Sequence, residues 1–403
     1  MQGGAVEAGR HSYGKLRHKL GSTRGFEAYV EGNRVTLLHD GGQCFPAMLD
    51  AIAHARHEVL LEMYWFGSDA TGWRFAEALM DKAREGVPVA LIYDAVGSID
   101  SDGRIFDAMR AAGVHVIDYN PIAPWRRRFR WGVINRRNHR KMLMVDRRVG
   151  FTGGVNIGDE WAAEADGGGG WRDDMVRVEG LAVTSMRTIF LHTWDRLVRE
   201  ESGEHTEVGD EIPPARFTGE SDAKVRVLAN HYLGERRAIR ATYLDRIRRA
   251  EKSVYITNSY FLPDRSIRRA LIHAARRGVE VRVLLPGESD VPAVSHASRR
   301  MYGWFMDAGV HLHEWRGNVL HAKTAVVDER WTTVGTYNLD HRSWHFNLEV
   351  TVAIEDEAVG RAMRDRFFQD LAQAPEVDER SYRYRPMGDR LLEHFFYLFR
   401  KLL

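Results

Sequence analysis

The sequence predicts an α/β protein made of two pseudo-symmetric halves, and three observations carry that prediction. Strand-length apolar runs alternate with helical stretches along most of the chain. The pattern of the first half returns in the second: AIAHARHEVLLEMYWF (51–66) parallels RIRRAEKSVYITNSYF (246–261), KAREGVPVALIY (82–93) parallels AARRGVEVRVLL (274–285), and AAGVHVIDY (111–119) parallels DAGVHLHEW (307–315). One motif also occurs twice, as NHRKMLMVDRRVGFTGGVN (138–156) and LHAKTAVVDERWTTVGTYN (320–338). His139, Lys141, Asp146, Gly153, Gly154 and Asn156 each stand 182 residues before His321, Lys323, Asp328, Gly335, Thr336 and Asn338.

Taken in order, residues 1–33 form a basic lead without the apolar core of a signal peptide. The first half, 34–200, begins with a strand, a Gly-Gly turn, a helix and a second strand over 34–66. Residues 72–86 read as a helix ended by Gly86, VPVALIYD (87–94) as a buried strand, 101–112 as a helix before Gly113, and VHVIDY as the next strand. Residues 201–222, acidic, with two prolines and few large apolar residues, read as a linker. The second half then runs over 223–375, and 376–403 is a tail carrying an amphipathic helix.

The halves differ in one place. Gly113 and His139 are 26 residues apart, whereas Gly309 and His321 are 12 apart. The extra residues fall within PIAPWRRRFRWGVINRRN, where Arg126, Arg127, Arg128, Arg130, Arg136 and Arg137 are interleaved with Trp125, Phe129 and Trp131. Such a loop suits phosphates at a membrane surface or a nucleic-acid strand, or is simply solvated. The Gly-rich stretch 166–170 lacks the Lys-Ser/Thr of a phosphate-binding P-loop and reads as a mobile lid or spacer.

Composition narrows the function classes. The chain has 403 residues, 44% hydrophobic and 28% charged, with a net charge of only +2, so overall charge implies no polyanionic partner. Its single cysteine, Cys44, excludes an internal disulfide and a cysteine-built metal site. No apolar run reaches the roughly 18 residues of a membrane span.

The motif has a chemical reading of its own. MLMV and TAVV look like buried strands, and residues i and i+2 of a strand share a face. His139 and Lys141 therefore project together, as do His321 and Lys323. An ammonium beside an imidazole repels a metal ion but suits a phosphate: the lysine neutralises charge while the imidazole attacks or protonates. No metal is expected. Asp173 in WRDD and Glu349 in NLEV occupy equivalent places beyond the two motifs. Each either holds a histidine in one tautomer or makes a structural ion pair. Tyr64, Trp65 and Phe66, with Tyr260 and Phe261 at matching positions, either line a lipid-facing mouth or pack as core.

The repeated His-x-Lys-x4-Asp, with its trailing Gly-Gly/Thr-x-Asn, resembles the phospholipase D superfamily from about residue 34 to 372. A narrower resemblance, to bacterial cardiolipin synthases, rests on DAVGS (94–98), TGGVNIGDEW (152–161), WRDD (171–174), NSYFLPD (258–264), LLPGESDVP (284–292) and VLHAKTAVVDERWTTVGTYNLDHRS (319–343). Many such synthases begin with two membrane-spanning helices; this chain is similar to the shorter ones without them. The resemblance implies two phospholipase D-like halves, each a mixed β-sheet flanked by helices, with one active site at their interface.

It further implies a cofactor-free, metal-independent transfer of a phosphatidyl group from phosphatidylglycerol to a second phosphatidylglycerol. The path runs through a phosphohistidine and releases glycerol. His139 is the favoured nucleophile and His321 the acid/base, with Lys141, Lys323, Asn156 and Asn338 on the phosphate oxygens and Asp146 and Asp328 as braces. The implied partners are anionic phospholipid and a membrane surface rather than nucleic acid, with the oligomeric state left open. The implied location is peripheral, on the cytoplasmic face of the inner membrane, and not secreted. The same fold also accommodates a phosphodiesterase that hydrolyses phospholipid or nucleic acid.

The chain ends DRLLEHFFYLFRKLL (389–403). At about 100° per residue, Leu391, Leu392, Phe395, Phe396, Leu398, Phe399, Leu402 and Leu403 fall within an arc of roughly 160°. This helix is too short to cross a bilayer. It either lies in the membrane interface, with Arg400 and Lys401 near anionic headgroups, or docks on the protein's own core.

Overall fold

A computed structural model describes residues 28–125, 128–202, 223–230 and 238–403. Residues 1–27 of the expected lead, residues 203–222 of the expected linker, and Arg126 and Arg127 lie outside the described residues.

Among the described residues, short apolar runs form fourteen strands that join in one sheet. The first seven are β1 (Val30–His39), β2 (Val59–Met63), β3 (Val89–Asp94), β4 (His115–Tyr119), β5 (Met142–Val145), β6 (Val149–Gly153) and β7 (Asp174–Gly180). The second seven are β8 (Ala223–Ala229), β9 (Ser253–Asn258), β10 (Glu280–Pro286), β11 (His311–Trp315), β12 (Lys323–Val327), β13 (Trp331–Gly335) and β14 (Val350–Glu355). Their order across the sheet is β11-β10-β9-β12-β13-β14-β8-β1-β7-β6-β5-β2-β3-β4. Outward from the antiparallel β1–β8 junction, the two halves repeat each other strand for strand. In each half the inner strands are antiparallel and the outer three parallel, so the sheet is mixed.

Twelve helices cover the sheet among the described residues: α1 (Asp40–Ala53), α2 (Ala70–Arg84), α3 (Gly103–Ala111), α4 (Ala182–Ser202), α5 (Ala238–Arg249), α6 (Arg265–Arg276), α7 (Pro292–Arg299), α8 (Tyr302–Met306), α9 (His341–His345), α10 (Glu357–Leu371), α11 (Glu379–Arg383) and α12 (Met387–Leu398). Met186, Phe190 and Trp194 of α4 and Met363 and Phe367 of α10 share one core with strand residues of both halves, including Leu60, Val176, Val225 and Val350. Each half keeps a second core of its own, under α1–α3 in the first and under α5–α8 in the second. Full burial of one such Leu or Phe is worth about 1.5–3 kcal/mol, so the shared core ties the halves together.

The strand register positions the motifs. β5 runs antiparallel to β2 with Met142 opposite Glu62, and β12 runs antiparallel to β9 with Lys323 opposite Asn258. Both motifs therefore start at the carboxyl ends of the parallel strands, where open α/β sheets place their ligand crevices.

Four local expectations change. β1 starts at Val30, inside the expected lead. Gly41 and Gly42 lie in the first turn of α1 rather than in a separate turn, because a Cβ on Gly41 would stand 1.9 Å from the Trp161 carbonyl oxygen. The 166–170 stretch is a bonded loop rather than a lid: Gly170 N–H donates to the Ala162 carbonyl, and Asn318 of the second half donates to the Gly169 carbonyl at 2.9 Å. Arg128 and Arg137 are buried braces rather than mouth cations, Arg128 on Asp118 and Arg137 on Asp94 and the Asn120 carbonyl.

Candidate active site

Each motif begins with an extended segment pinned to the other half. His139 N–H donates to the Leu348 carbonyl at 3.0 Å, and His321 N–H donates to the Arg172 carbonyl at 2.8 Å. These backbone bonds set the carboxylate of one half behind the imidazole of the other. His139 Nδ1 lies 3.0 Å from Glu349, and His321 Nδ1 lies 2.8 Å from Asp173. With Nδ1–H donating to a carboxylate, Nε2 is the nitrogen each ring offers to a ligand.

The two carboxylates are held differently, and this accounts for the Gly154/Thr336 difference between the motifs. Thr336 donates its hydroxyl to Glu349, and Asn347 donates to the same carboxylate at 3.2 Å. Burial raises the Glu349 pKa, but the His139 charge and the hydrogen bonds from His139 and Thr336 outweigh it, and the net shift is downward. Asp173 instead lies against Gly154, where a Cβ would meet its carboxylate at 2.1 Å. Trp161 Nε1 donates to Asp173 at 3.0 Å. Burial dominates there and pushes the Asp173 pKa up to about 6.

Both lysines are buried, and each donates its ammonium to the carbonyl of its own motif histidine. Burial lowers Lys141 to about 7, helped by repulsion from Lys323, and lowers Lys323 to about 8. The histidines are lowered too. Burial is the largest cause for each, and Lys323 acts on His139 as Lys141 acts on His321. The two motifs thus share one electrostatic environment. It is cationic, desolvated and ready for an anion.

Asn156 accepts from Trp65 N–H at 3.2 Å and Asn338 accepts from Ser259 Oγ at 2.9 Å. Each amide oxygen is thereby tied to protein, leaving the NH2 group as a donor. Asp146 and Asp328 lie behind this layer. Each begins the turn between its two strands at positive φ (52° and 53°), a conformation aspartate tolerates. Asp146 accepts the N–H groups of Arg56, His57 and Glu58, and Asp328 those of Glu251, Lys252 and Ser253, which fixes the leads into β2 and β9.

The aromatic residues divide by role. Phe66 and Phe261 are core. Tyr64 packs edge-on against His139 at 4.9 Å with the Lys141 ammonium 5.0 Å from its ring centre, and Tyr260 stands in the same relation to His321 and Lys323, at 6.4 and 6.0 Å. Sequence reasoning did not single out four further residues. Trp161 holds Asp173, while Asp290 accepts from Tyr260 Oη at 2.5 Å. Arg172 bridges the halves through Asp174 at 2.9 Å and Asp370 at 2.7 Å. Trp161 stood inside the quoted TGGVNIGDEW, Arg172 inside WRDD and Asp290 inside LLPGESDVP, whereas Asp370 had no signal beyond its neighbours.

A family model described as "Cardiolipin synthase, PLD-like domain" matches residues 48–166 and 243–371. The cardiolipin synthase of Geobacillus kaustophilus is 34% identical over 362 residues, covering 90% of this chain and 70% of that protein. Cardiolipin synthase 1 of Bacillus cereus is 33% identical over 374 residues, covering 91% and 72%. The phosphatidylserine synthase of Haemophilus influenzae shares the fold, with a TM-score of 0.70 and 12% identity over 94% of this chain and 98% of its own.

Proposed function

The chain belongs to the cardiolipin synthase family of phospholipase D-like enzymes, and from that premise we propose that it transfers a phosphatidyl group from phosphatidylglycerol to the free hydroxyl of a second phosphatidylglycerol. The observation that carries this reading is the crossed pairing of His139 with Glu349 and His321 with Asp173 around two buried lysines. It makes one site with an oriented imidazole from each half.

The phosphodiester binds between Lys141 and Lys323, with the Asn156 and Asn338 amides on its non-bridging oxygens. Burial and then lysine repulsion hold His321 low; the bound negative charge counters both, so His321 gains the proton it needs as an acid. Nε2 of His139 attacks phosphorus, the bond to the glycerol oxygen breaks, and His321 gives that oxygen its proton. The phosphorylated imidazole is cationic, and the ionised Glu349 behind His139 stabilises it. This favours His139 as nucleophile. His321, now neutral, removes the proton of the acceptor hydroxyl; its oxygen attacks phosphorus, the P–N bond breaks, and the products are cardiolipin and glycerol.

The protein acts at a membrane surface, on its cytoplasmic side, as a peripheral enzyme. Among the described residues no helix is long and apolar enough to cross a membrane. Mass spectrometry of lipids after incubation with phosphatidylglycerol tests the reaction. Cardiolipin with an equal amount of glycerol supports it; phosphatidic acid as the main product would make the enzyme a hydrolase.

A further inference from the structure

Helix α12 docks through one side, where Phe396 and Tyr397 pack against the second-half core. Glu393 is buried in a two-pronged ion pair with Arg385 (2.8 and 2.5 Å). Phe396 stacks on His296 of α7 at 5.7 Å, and Tyr397 packs edge-on to Trp304 at 5.9 Å. Positions 393, 396 and 397 thus form the docked face. The opposite face carries Leu391, Phe395 and Leu398 at helical spacing, exposed by 65, 53 and 61%, and Phe399 and Leu402 follow just past the helix end, exposed by 45 and 68%. Together they make up the exposed apolar stripe of the C-terminus. Exposed apolar side chains this large, grouped on one element, mark an interaction surface rather than scattered surface residues.

The stripe sits beside the mouth of the site. α7, which carries α12, follows the loop whose Asp290 meets Tyr260 at the site. Arg400 and Lys401 lie near enough to His341, three residues past Asn338, to help lower its pKa, after burial and His345. Other exposed apolar residues, Ile99, Trp125, Trp131 and Val291, lie in loops that follow β3, β4 and β10 at the sheet edge where the motifs start.

We propose that α12 lies in the interface of an anionic phospholipid bilayer, with its Leu/Phe stripe in the acyl boundary and Arg400 and Lys401 on the headgroups, and so brings the mouth of the site to its lipid. The proposal rests on the lipid reading above. Charge selects the occupant: a cationic end beside an apolar stripe matches anionic lipid. Twelve residues span about 18 Å, which suits lying in the interface rather than crossing.

The test uses the full chain with Phe395→Ser, Leu398→Ser, Phe399→Ser and Leu402→Ser combined, and separately Arg400→Gln with Lys401→Gln. Sedimentation is measured with vesicles of equal parts phosphatidylcholine and phosphatidylglycerol, and with phosphatidylcholine alone. The serine variant should lose partitioning by roughly a hundredfold while keeping its melting temperature and its turnover of detergent-dispersed lipid. The glutamine variant should lose only the preference for anionic vesicles. Unchanged partitioning of the serine variant overturns the proposal. So does a collapse in melting temperature, which would make the stripe core, or conversion of a wild-type dimer to monomer with vesicle binding intact, which would assign the stripe to a second copy. Absence of turnover in wild type on dispersed lipid would strike the proposed reaction, not this surface.

Discussion

His139 and Glu349 stand 210 residues apart and share a hydrogen bond of 3.0 Å from Nδ1 to the carboxylate. His321 and Asp173, 148 residues apart, repeat the relation in the opposite sense at 2.8 Å. Each half therefore supplies one imidazole and the orienting group of the other. Glu349→Gln keeps the shape but removes the charge that fixes the His139 tautomer. It should lower kcat by about 10–100-fold or more, with KM nearly unchanged. Steady-state kinetics over a pH series checks this; a loss confined to KM would make Glu349 a binding group.

Gly154 and Thr336 occupy equivalent positions but should answer differently to alanine. At Gly154 the added Cβ meets the Asp173 carboxylate at 2.1 Å, which displaces the group behind His321. Gly154→Ala should cost about 1–3 kcal/mol of stability and most of the activity. Thr336→Ala removes a hydrogen bond to Glu349 and one accepted from Val350 N–H, for about 1–3 kcal/mol, and should leave a working enzyme. Activity measured beside denaturant unfolding separates the two; equal losses of activity would contradict the asymmetry.

Much of this site was legible in the sequence because duplication reveals it. His139, Lys141, Asn156 and their counterparts at a constant offset pointed to one chemistry twice, and Asp173 and Glu349 stood out as matched carboxylates. Their exchange between halves was not legible, since nothing in strand periodicity says which sheet edge meets which. The apolar arc of the C-terminal helix left an interfacial and a docked reading open, and the arc divides between them: Phe396 packs against the second-half core, while Leu391, Phe395 and Leu398 stay exposed. Gly41 also reads as a turn until its contact with Trp161, 120 residues away, explains it.

Arg172 holds the halves together through Asp174 and Asp370. Burial opposes its charge, yet the two carboxylates raise its pKa overall, and Arg172 in turn keeps Asp174 low against burial. Arg172→Leu leaves Asp174 with His39 and Asp370 with Arg366 but removes the buried cation between them, and should destabilise by about 3 kcal/mol. Thermal unfolding checks it; an unchanged midpoint would show the network to be dispensable.

The lysines make anion binding proton-linked. In the free protein Lys141 titrates at about 7 and Lys323 at about 8, so at pH 8 the first is mostly neutral and the second half-charged. A bound anion raises both. Binding of diethyl phosphate, which does not itself titrate in this range, should take up about one proton at pH 8 through the lysines, whereas at pH 6 the lysines are already charged and the uptake is that of His321. Calorimetry in buffers of different ionisation heat measures this; proton release at pH 8 would contradict the lysine assignment.

The central claim is a phosphatidyl group carried on His139, and trapping it is the most direct test. A phosphatidyl ester of p-nitrophenol needs no proton on its leaving group, so the His321→Ala variant can form the intermediate but lacks the base to discharge it. The expected result is a burst of about one nitrophenolate per protein, with an acid-labile phosphatidyl mass on the peptide containing His139 and none in His139→Ala. A burst that survives in His139→Ala, or an adduct mapped to any other residue, would contradict the account.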